Sequence, residues 1–264
     1  MTYFGFLLRF LVIPIIVFLI VTWRDNKNNR PTPGFNNGKA VWVAILVHVI
    51  LAVVYTTPWD NYLVATGVWY YNPDLVTGAV IGYVPIEEYT FFVLETILAG
   101  LWWWFLARRI PEPTNEFKPS KTGRIVAFGI LVVVWAVFTY LFFFGGTEWN
   151  YLSIILFWAL PAIFPQMLYG ADILWHYRKL VFTTIFVPGL YLSLMDIVAL
   201  TDTTWSISKE QTTGVLFFGI LPLEEVLFFF ITNVLIGFGM TLLLSKIGTK
   251  RFEDWKSNKY KGLP

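Results

Sequence analysis

The sequence predicts an all-α integral membrane protein: seven transmembrane helices, laid out as two parallel three-helix repeats joined by a connector helix. Three observations predict it. Of the 264 residues, 57% are hydrophobic and only 14% are charged, too little charge to cover a soluble domain of this length. Seven apolar runs approach or exceed the ~20 residues that a helix needs to cross a bilayer. The second half of the chain also repeats the first in register.

The runs lie near 3–22, 40–58, 79–107, 123–144, 150–169, 179–200 and 214–244. The first reads as a retained helix and not a signal peptide. It has little positive charge before it and no small-residue cleavage pattern, and Trp23-Arg24-Asp25 follows it. In the second run, His48 is expected to be a hydrogen-bonded packing residue. The third and seventh are longer than a span requires, so tilt or projection is expected to absorb the excess. Pro14, Pro85, Pro161, Pro165, Pro188 and Pro222 fall inside runs. Membrane helices tolerate this where neighbours re-satisfy the freed carbonyls, and Pro14 and Pro188 read as packing kinks. The stretches after the second and sixth runs, with Trp69, Tyr70, Tyr71 and Trp205, read as short external loops with interfacial aromatics.

Seventeen of the 19 lysines and arginines fall between the first and second, third and fourth, and fifth and sixth runs, or after the seventh. The positive-inside rule then sets the N-terminus outside and the C-terminus in the cytoplasm of a multi-pass cell-membrane protein. The basic residues have this topological job, and no nucleic-acid partner is implied. The expected divisions are a first repeat over 1–110, a linker and connector helix over 111–147, a second repeat over 148–245 and a basic tail over 246–264 at the anionic leaflet.

Shifted by 136 residues, Tyr55 falls on Tyr191, Asp60 on Asp196, Trp69 on Trp205 and Thr77-Gly78 on Thr213-Gly214. One extra residue then places Gly82 on Gly219, Pro85 on Pro222, Glu87-Glu88 on Glu224-Glu225 and Phe92 on Phe229. Three helices reverse the chain and the connector restores its direction. Both repeats therefore enter from one side, related by a pseudo-two-fold axis along the membrane normal.

The repeats converge on Pro85-Ile86-Glu87-Glu88 and Pro222-Leu223-Glu224-Glu225, set in otherwise apolar runs. A charged side chain at the bilayer centre costs about 2.5–3.5 kcal/mol even on lenient scales, so four glutamates in two matched places point to chemistry or transport. The expectation puts them about two turns into their helices, the pairs facing each other across the axis. A structural alternative is a protonated carboxyl capping the carbonyl that each proline frees, that of Ile81 or Phe218. The functional reading is a set of buried acids, because desolvation and a second carboxylate both favour the protonated form. Glu95, two turns beyond Glu88, is matched by Thr232 beside Asn233 and extends a polar stripe, as a proton relay or as interhelical hydrogen bonding. Asp60 is expected at a solvated helix rim, and Asp196 deeper.

The chain has no cysteine and two histidines, which excludes thiolate and histidine-rich metal sites. No cofactor or metal is called for. The 25 Phe, 13 Tyr and 13 Trp exceed what interfacial belts need, and ring faces would also stabilise a carbocation without attacking it.

The paired PIEE and PLEE motifs on a three-plus-one-plus-three helix plan resemble the membrane-integral, non-flavin lycopene cyclases, here as a fused chain. The resemblance covers essentially the whole chain. It implies catalytic roles for Glu87, Glu88, Glu224 and Glu225. It also implies a lipid-dissolved linear carotenoid (lycopene or γ-carotene) as substrate, closed to a β-ionone-type ring by protonation without net redox change. A small transporter of the same helix plan is the alternative, hinted at by Pro165-Gln166 but disfavoured by four glutamates among phenylalanines. A retinal-binding pump lacks a lysine in the middle of the last run, since Lys246 lies at its end.

Overall fold

The computed structural model describes residues 1–260. Of the expected tail, 261–264 with Lys261 lie outside the described residues. Seven helices long and apolar enough to cross a membrane are present among them. These are α1 (Tyr3–Lys27), α2 (Lys39–Ala65), α3 (Ile86–Ala107), α4 (Lys121–Phe144), α5 (Asn150–His176), α6 (Arg178–Thr201) and α7 (Leu223–Leu244). A further polar helix, α8 (Lys246–Tyr260), follows at the C-terminal end. All seven runs expected from the sequence are thus found as helices, with α2 and α5 each extending about two turns beyond their runs.

Helix ends follow local chemistry. The Thr2 hydroxyl accepts from the Gly5 amide at the start of α1, and that of Ser120 from Gly123 at the start of α4, the usual N-cap use of a short hydroxyl side chain. A π-helical turn at Leu8–Val12 runs directly into the segment holding Pro14. Pro58, Pro161, Pro165 and Pro188 are carried inside helices, and α5 kinks at Gly170.

The third and seventh runs are corrected at their starts. Residues 79–85 and 214–222 are not helical. Each folds into a small hairpin: β2 (Val80–Ile81) with β3 (Val84–Pro85), and β5 (Leu216–Phe217) with β6 (Leu221–Pro222). Gly82 (φ +68) turns the first, and Phe218 (φ +54) with Gly219 (φ +71) the second, a left-handed conformation that glycine adopts at little cost. Pro85 and Pro222 are therefore not interior prolines. Each is extended (φ −62 and −60) and stands at the N-cap of the helix that follows, where a missing amide hydrogen costs nothing. The carbonyl-capping alternative falls with this, since neither proline interrupts a helix.

The stretches after α2 and α6 are not simple external loops either. β1 (Trp69–Tyr71) and β4 (Trp205–Ile207) pair antiparallel, Tyr70 opposite Ser206, and bind the two halves of the chain together. Trp69 and Trp205 are buried beneath this ribbon.

The core lies around α3 and α7, which are the most buried spans. Trp103 and Trp104 of α3 are fully enclosed, and Trp103 Nε1 donates to Thr241 Oγ1 of α7 at 2.9 Å. No residue of α4 is buried; it packs along the outside of α5. At the end of the bundle opposite the hairpins, Asp25 pairs with Arg109 (2.8 Å), Arg30 (3.6 Å) and Arg108 (3.7 Å). Asp172 pairs with Arg251 at 2.8 Å, which docks α8 onto α5.

Candidate active site

The glutamate pairs occupy the first turns of α3 and α7, not two turns in. An N-terminal turn has unpaired amides and the positive end of the helix dipole, so carboxylates are favoured there. Because adjacent helical residues point about 100° apart, the two members of each pair have different surroundings.

The first member of each pair is tied to its own hairpin. Glu87 Oε1 accepts from the Thr77 amide at 2.6 Å, and Glu224 Oε1 from the Thr213 amide at 2.7 Å. Alongside, the Ile86 amide donates to Ala79 O and the Leu223 amide to Val215 O, both at 2.9 Å. The repeated Thr-Gly dipeptide thus makes a turn, with Gly78 and Gly214 at φ +80 and +74, that offers a backbone donor to a carboxyl below. Both glutamates are fully buried.

The second member of each pair turns inward. Glu88 accepts a hydrogen bond from the Tyr3 hydroxyl of α1, and Glu225 from the Tyr151 hydroxyl of α5 at 2.6 Å. Both line one small cavity under the β1–β4 ribbon, with Asp196 on its wall and Phe91, Phe228 and Phe229 at its base. The rings around it are in mutual contact. Tyr3 lies 4.9 Å from Trp205 and stacks on Tyr71 at 6.2 Å, and Tyr151 meets Trp69 edge-on at 5.9 Å. Trp205 Nε1 donates to Asp196 Oδ1 at 2.8 Å. Burial, and then the nearby Glu88 carboxyl, push the Tyr71 hydroxyl well above the usual phenol range, so it remains a proton donor.

The other residues singled out from the sequence distribute around this cavity. Asp196 is deep, as expected, with none of its surface exposed. Asp60 is corrected: it is equally buried and not at a solvated rim, because α2 continues for five residues beyond it. Glu95 is buried and accepts from Thr232 Oγ1 at 2.8 Å. It faces a second, larger cavity, separated from the first by Phe228, which lines both. Asn233 donates to Phe229 O at 2.8 Å within its own helix. His48 lies 2.7 Å from Ala44 O, the hydrogen-bonded packing position read from the sequence. Pro85 and Pro222 set the start of α3 and α7 without touching the cavity. Tyr3, Tyr151 and Tyr71 were not singled out as functional. The first two were detectable only as tyrosines near the starts of the first and fifth runs.

Chemically, the cavity can hold and move protons between carboxyl groups in a water-poor, ring-lined space, conditions that suit a cationic reaction. No family model and no solved structure matches the chain. Among characterised proteins, it is 38% identical over 207 residues to the lycopene beta-cyclase of Halobacterium salinarum, a match covering 78% of this chain and 84% of that protein. It is 34% identical over 201 residues to the bifunctional lycopene cyclase/phytoene synthase of Podospora anserina, covering 74% of this chain and 34% of that larger protein. A like-named protein of Aspergillus oryzae is 30% identical over 203 residues, 76% of this chain and 34% of its own. The chain belongs to the family of membrane-type, non-flavin lycopene cyclases.

Proposed function

We propose that this protein is a lycopene cyclase and that Glu88 and Glu225 are its proton donor and acceptor. The observation carrying the assignment is that these two, of the four motif glutamates, meet in one buried aromatic cavity, each held by a tyrosine from a helix packed against its own. Glu87 and Glu224 act through structure, fixing the hairpins over the helix starts. The transporter alternative finds no support among the relatives.

The reaction balances without a cofactor. One carboxyl adds a proton to C2 of the ψ-end C1–C2 double bond and leaves a tertiary cation at C1. The C5–C6 double bond supplies its electron pair, C6 bonds to C1, and the positive charge moves to C5. The other carboxylate removes the proton on C6, giving the C5–C6 double bond of a β-ring. One proton enters and one leaves, so the product is an isomer of the substrate. Phe91, Phe228 and Phe229 line the cavity, and aromatic rings stabilise a developing cation without attacking it. Burial of the cavity beneath the β1–β4 ribbon limits the water that would otherwise trap it.

The matched contacts support reading the chain as two fused repeats about a pseudo-two-fold axis. On this reading the axis runs through the Tyr70–Ser206 pair, where β1 and β4 cross in register, and makes Glu88 and Glu225 counterparts. The distribution of lysine and arginine supports an N-terminus outside, which puts the hairpins and the cavity at the outer side of the membrane. The substrate on this reading is a linear carotenoid dissolved in the bilayer, lycopene first and the monocyclic γ-carotene second.

The test is expression in a host that accumulates lycopene, with pigment analysis. Cyclic carotenes from the wild type, lost in Glu88→Gln and Glu225→Gln while the protein still inserts, are expected. Unchanged lycopene from well-inserted wild type would overturn the reading.

A further inference from the structure

The catalytic cavity leaves only 20 Å³ of free space, room for about one water, whereas a conjugated carotenoid chain is many times larger. The rest of such a substrate needs somewhere to lie. The second cavity, between α2, α3, α5 and α7, has a volume of 340 Å³. On α7 it runs from Phe228 to Ile236, about 12 Å along the helix axis at 1.5 Å per residue. It begins where the catalytic cavity ends, with Phe228 as the shared wall. Three polar side chains on its wall engage protein, Glu95 with Thr232, His48 with Ala44 O at 2.7 Å and the Gln166 amide nitrogen with Leu235 O at 3.4 Å, while Gln166 Oε1 has no partner. What remains for a ligand is mostly hydrocarbon and ring surface.

This cavity also reaches the lipid. α2 and α5 touch only sparsely. An apolar groove of 650 Å³ lies on the bundle surface there, and shares Leu51, Tyr55 and Trp158 with the inner cavity. Tyr55 and Trp158 stand between the two. Their rings stack at 5.1 Å, Tyr55 Oη donates to Trp158 O and Trp158 Nε1 donates to Tyr55 O, both at 2.9 Å.

The opening is one-sided. The related contact between α6 and α1 is made by the Tyr191 hydroxyl on Phe10 O at 2.8 Å, 136 residues after Tyr55 and 148 before Trp158. There Ala52 is replaced by Pro188, Thr56 by Leu192 and Ala162 by Pro14, and Phe230 presses within 3.0 Å of where a Cβ on Gly189 would sit. Small residues have been kept on one side of the axis and bulk on the other.

We infer that the cavity between α2 and α5 binds the conjugated chain of the linear polyene, which enters sideways from the bilayer past the Tyr55–Trp158 pair and points its end group over Phe228 toward Glu88 and Glu225. This rests on the cyclase reading and adds where the substrate lies and how it arrives. It makes Ala52, Thr56 and Ala162 the residues whose size admits the chain, and Tyr55 and Trp158 positioning residues at the entrance.

The absence of cysteine supplies a direct test. Ala162→Cys places a single thiol on the cavity wall, and Val133→Cys places one on the lipid face of α4, 65% exposed. Both are built into the Glu88→Gln/Glu225→Gln chain so that substrate binds without turnover. They are reconstituted in vesicles with and without lycopene, and labelled with a membrane-permeant maleimide. Lycopene at about ten times its dissociation constant should slow labelling at 162 about tenfold by occupancy and leave 133 unchanged. Equal labelling at 162 with and without lycopene would overturn the inference. Separately, Ala162→Trp in the otherwise wild-type chain should fill the cavity and cut kcat/KM for lycopene about tenfold or more. Full activity in that variant would also overturn it. Failure of the wild type to cyclise lycopene at all would instead count against the cyclase reading, so the two failures are distinct.

Discussion

Glutamine has the shape of glutamate but cannot deliver or keep a proton, so substitution separates the two members of each pair. Glu88→Gln and Glu225→Gln should each lower cyclisation about a hundredfold or more, the scale of lost general acid–base catalysis. In Glu87→Gln and Glu224→Gln the amide oxygen can still accept from the Thr77 or Thr213 backbone, so activity should stay within about tenfold of wild type. Equal loss in all four, at equal expression, would contradict the division of labour. Tyr3→Phe and Tyr151→Phe each remove one hydrogen bond to a carboxyl, worth about 1.5–3 kcal/mol where charge is involved, and a matching fall in kcat is expected in turnover assays. The glutamates were legible because charge stands out in an apolar run. Their tyrosine partners were not. They lie 85 and 74 residues away among 13 tyrosines with no pattern of their own. Asp60 misled for the related reason that Pro58-Trp59 looks like the end of a helix that in fact runs on to Ala65.

At the scale of elements, the hairpins decide how α3 and α7 begin. Asn61 Oδ1 accepts from the Tyr83 amide at 2.8 Å, and a Cβ on Gly82 would lie 2.1 Å from that same oxygen. A Cβ on Gly219 would meet nothing within 4 Å. Gly82→Ala thus faces both the left-handed backbone penalty, roughly 1–2 kcal/mol, and the loss of the Asn61 clamp, whereas Gly219→Ala faces only the first. Thermal unfolding in detergent should show Gly82→Ala as the less stable of the two, and an equal shift would mean that the clamp contributes little. Strands of two residues inside an apolar run give no period to read, so 79–85 and 214–222 merged with the helices behind them. The signals that could have divided them were present: a glycine followed three residues later by proline, in both stretches.

For the molecule as a whole, the linker at 111–120 lines neither the glutamate cavity nor the larger one beside it. The halves are held by β1–β4 pairing, by Trp103 on Thr241 and by Thr232 on Glu95. Residues 1–115 and 116–264 produced as separate chains in one cell should therefore assemble and cyclise lycopene, checked by co-purification and pigment analysis; two inserted halves that never associate would refute it. A single lateral entrance makes a further demand. A polyene with two reactive ends must leave and return reversed for its second ring, so the monocyclic product should accumulate early in a time course before any bicyclic one. The helix count was readable because bilayer thickness fixes span length. The entrance was not, since it depends on the small size of Ala52 and Ala162 in helices distant in sequence.

The ribbon over the cavity bears on ancestry. Antiparallel strands related by a two-fold axis through their central pair are self-complementary, and one such strand can dock on an identical copy of itself. On the repeat reading proposed above, a primordial polypeptide of three helices and one hairpin would have dimerised through Tyr70 and its twin, setting two glutamates opposite each other before any gene fusion. On that same reading, fusion frees the duplicates to diverge, and the bulk at Pro14, Pro188 and Leu192 marks the flank that closes while the other stays open.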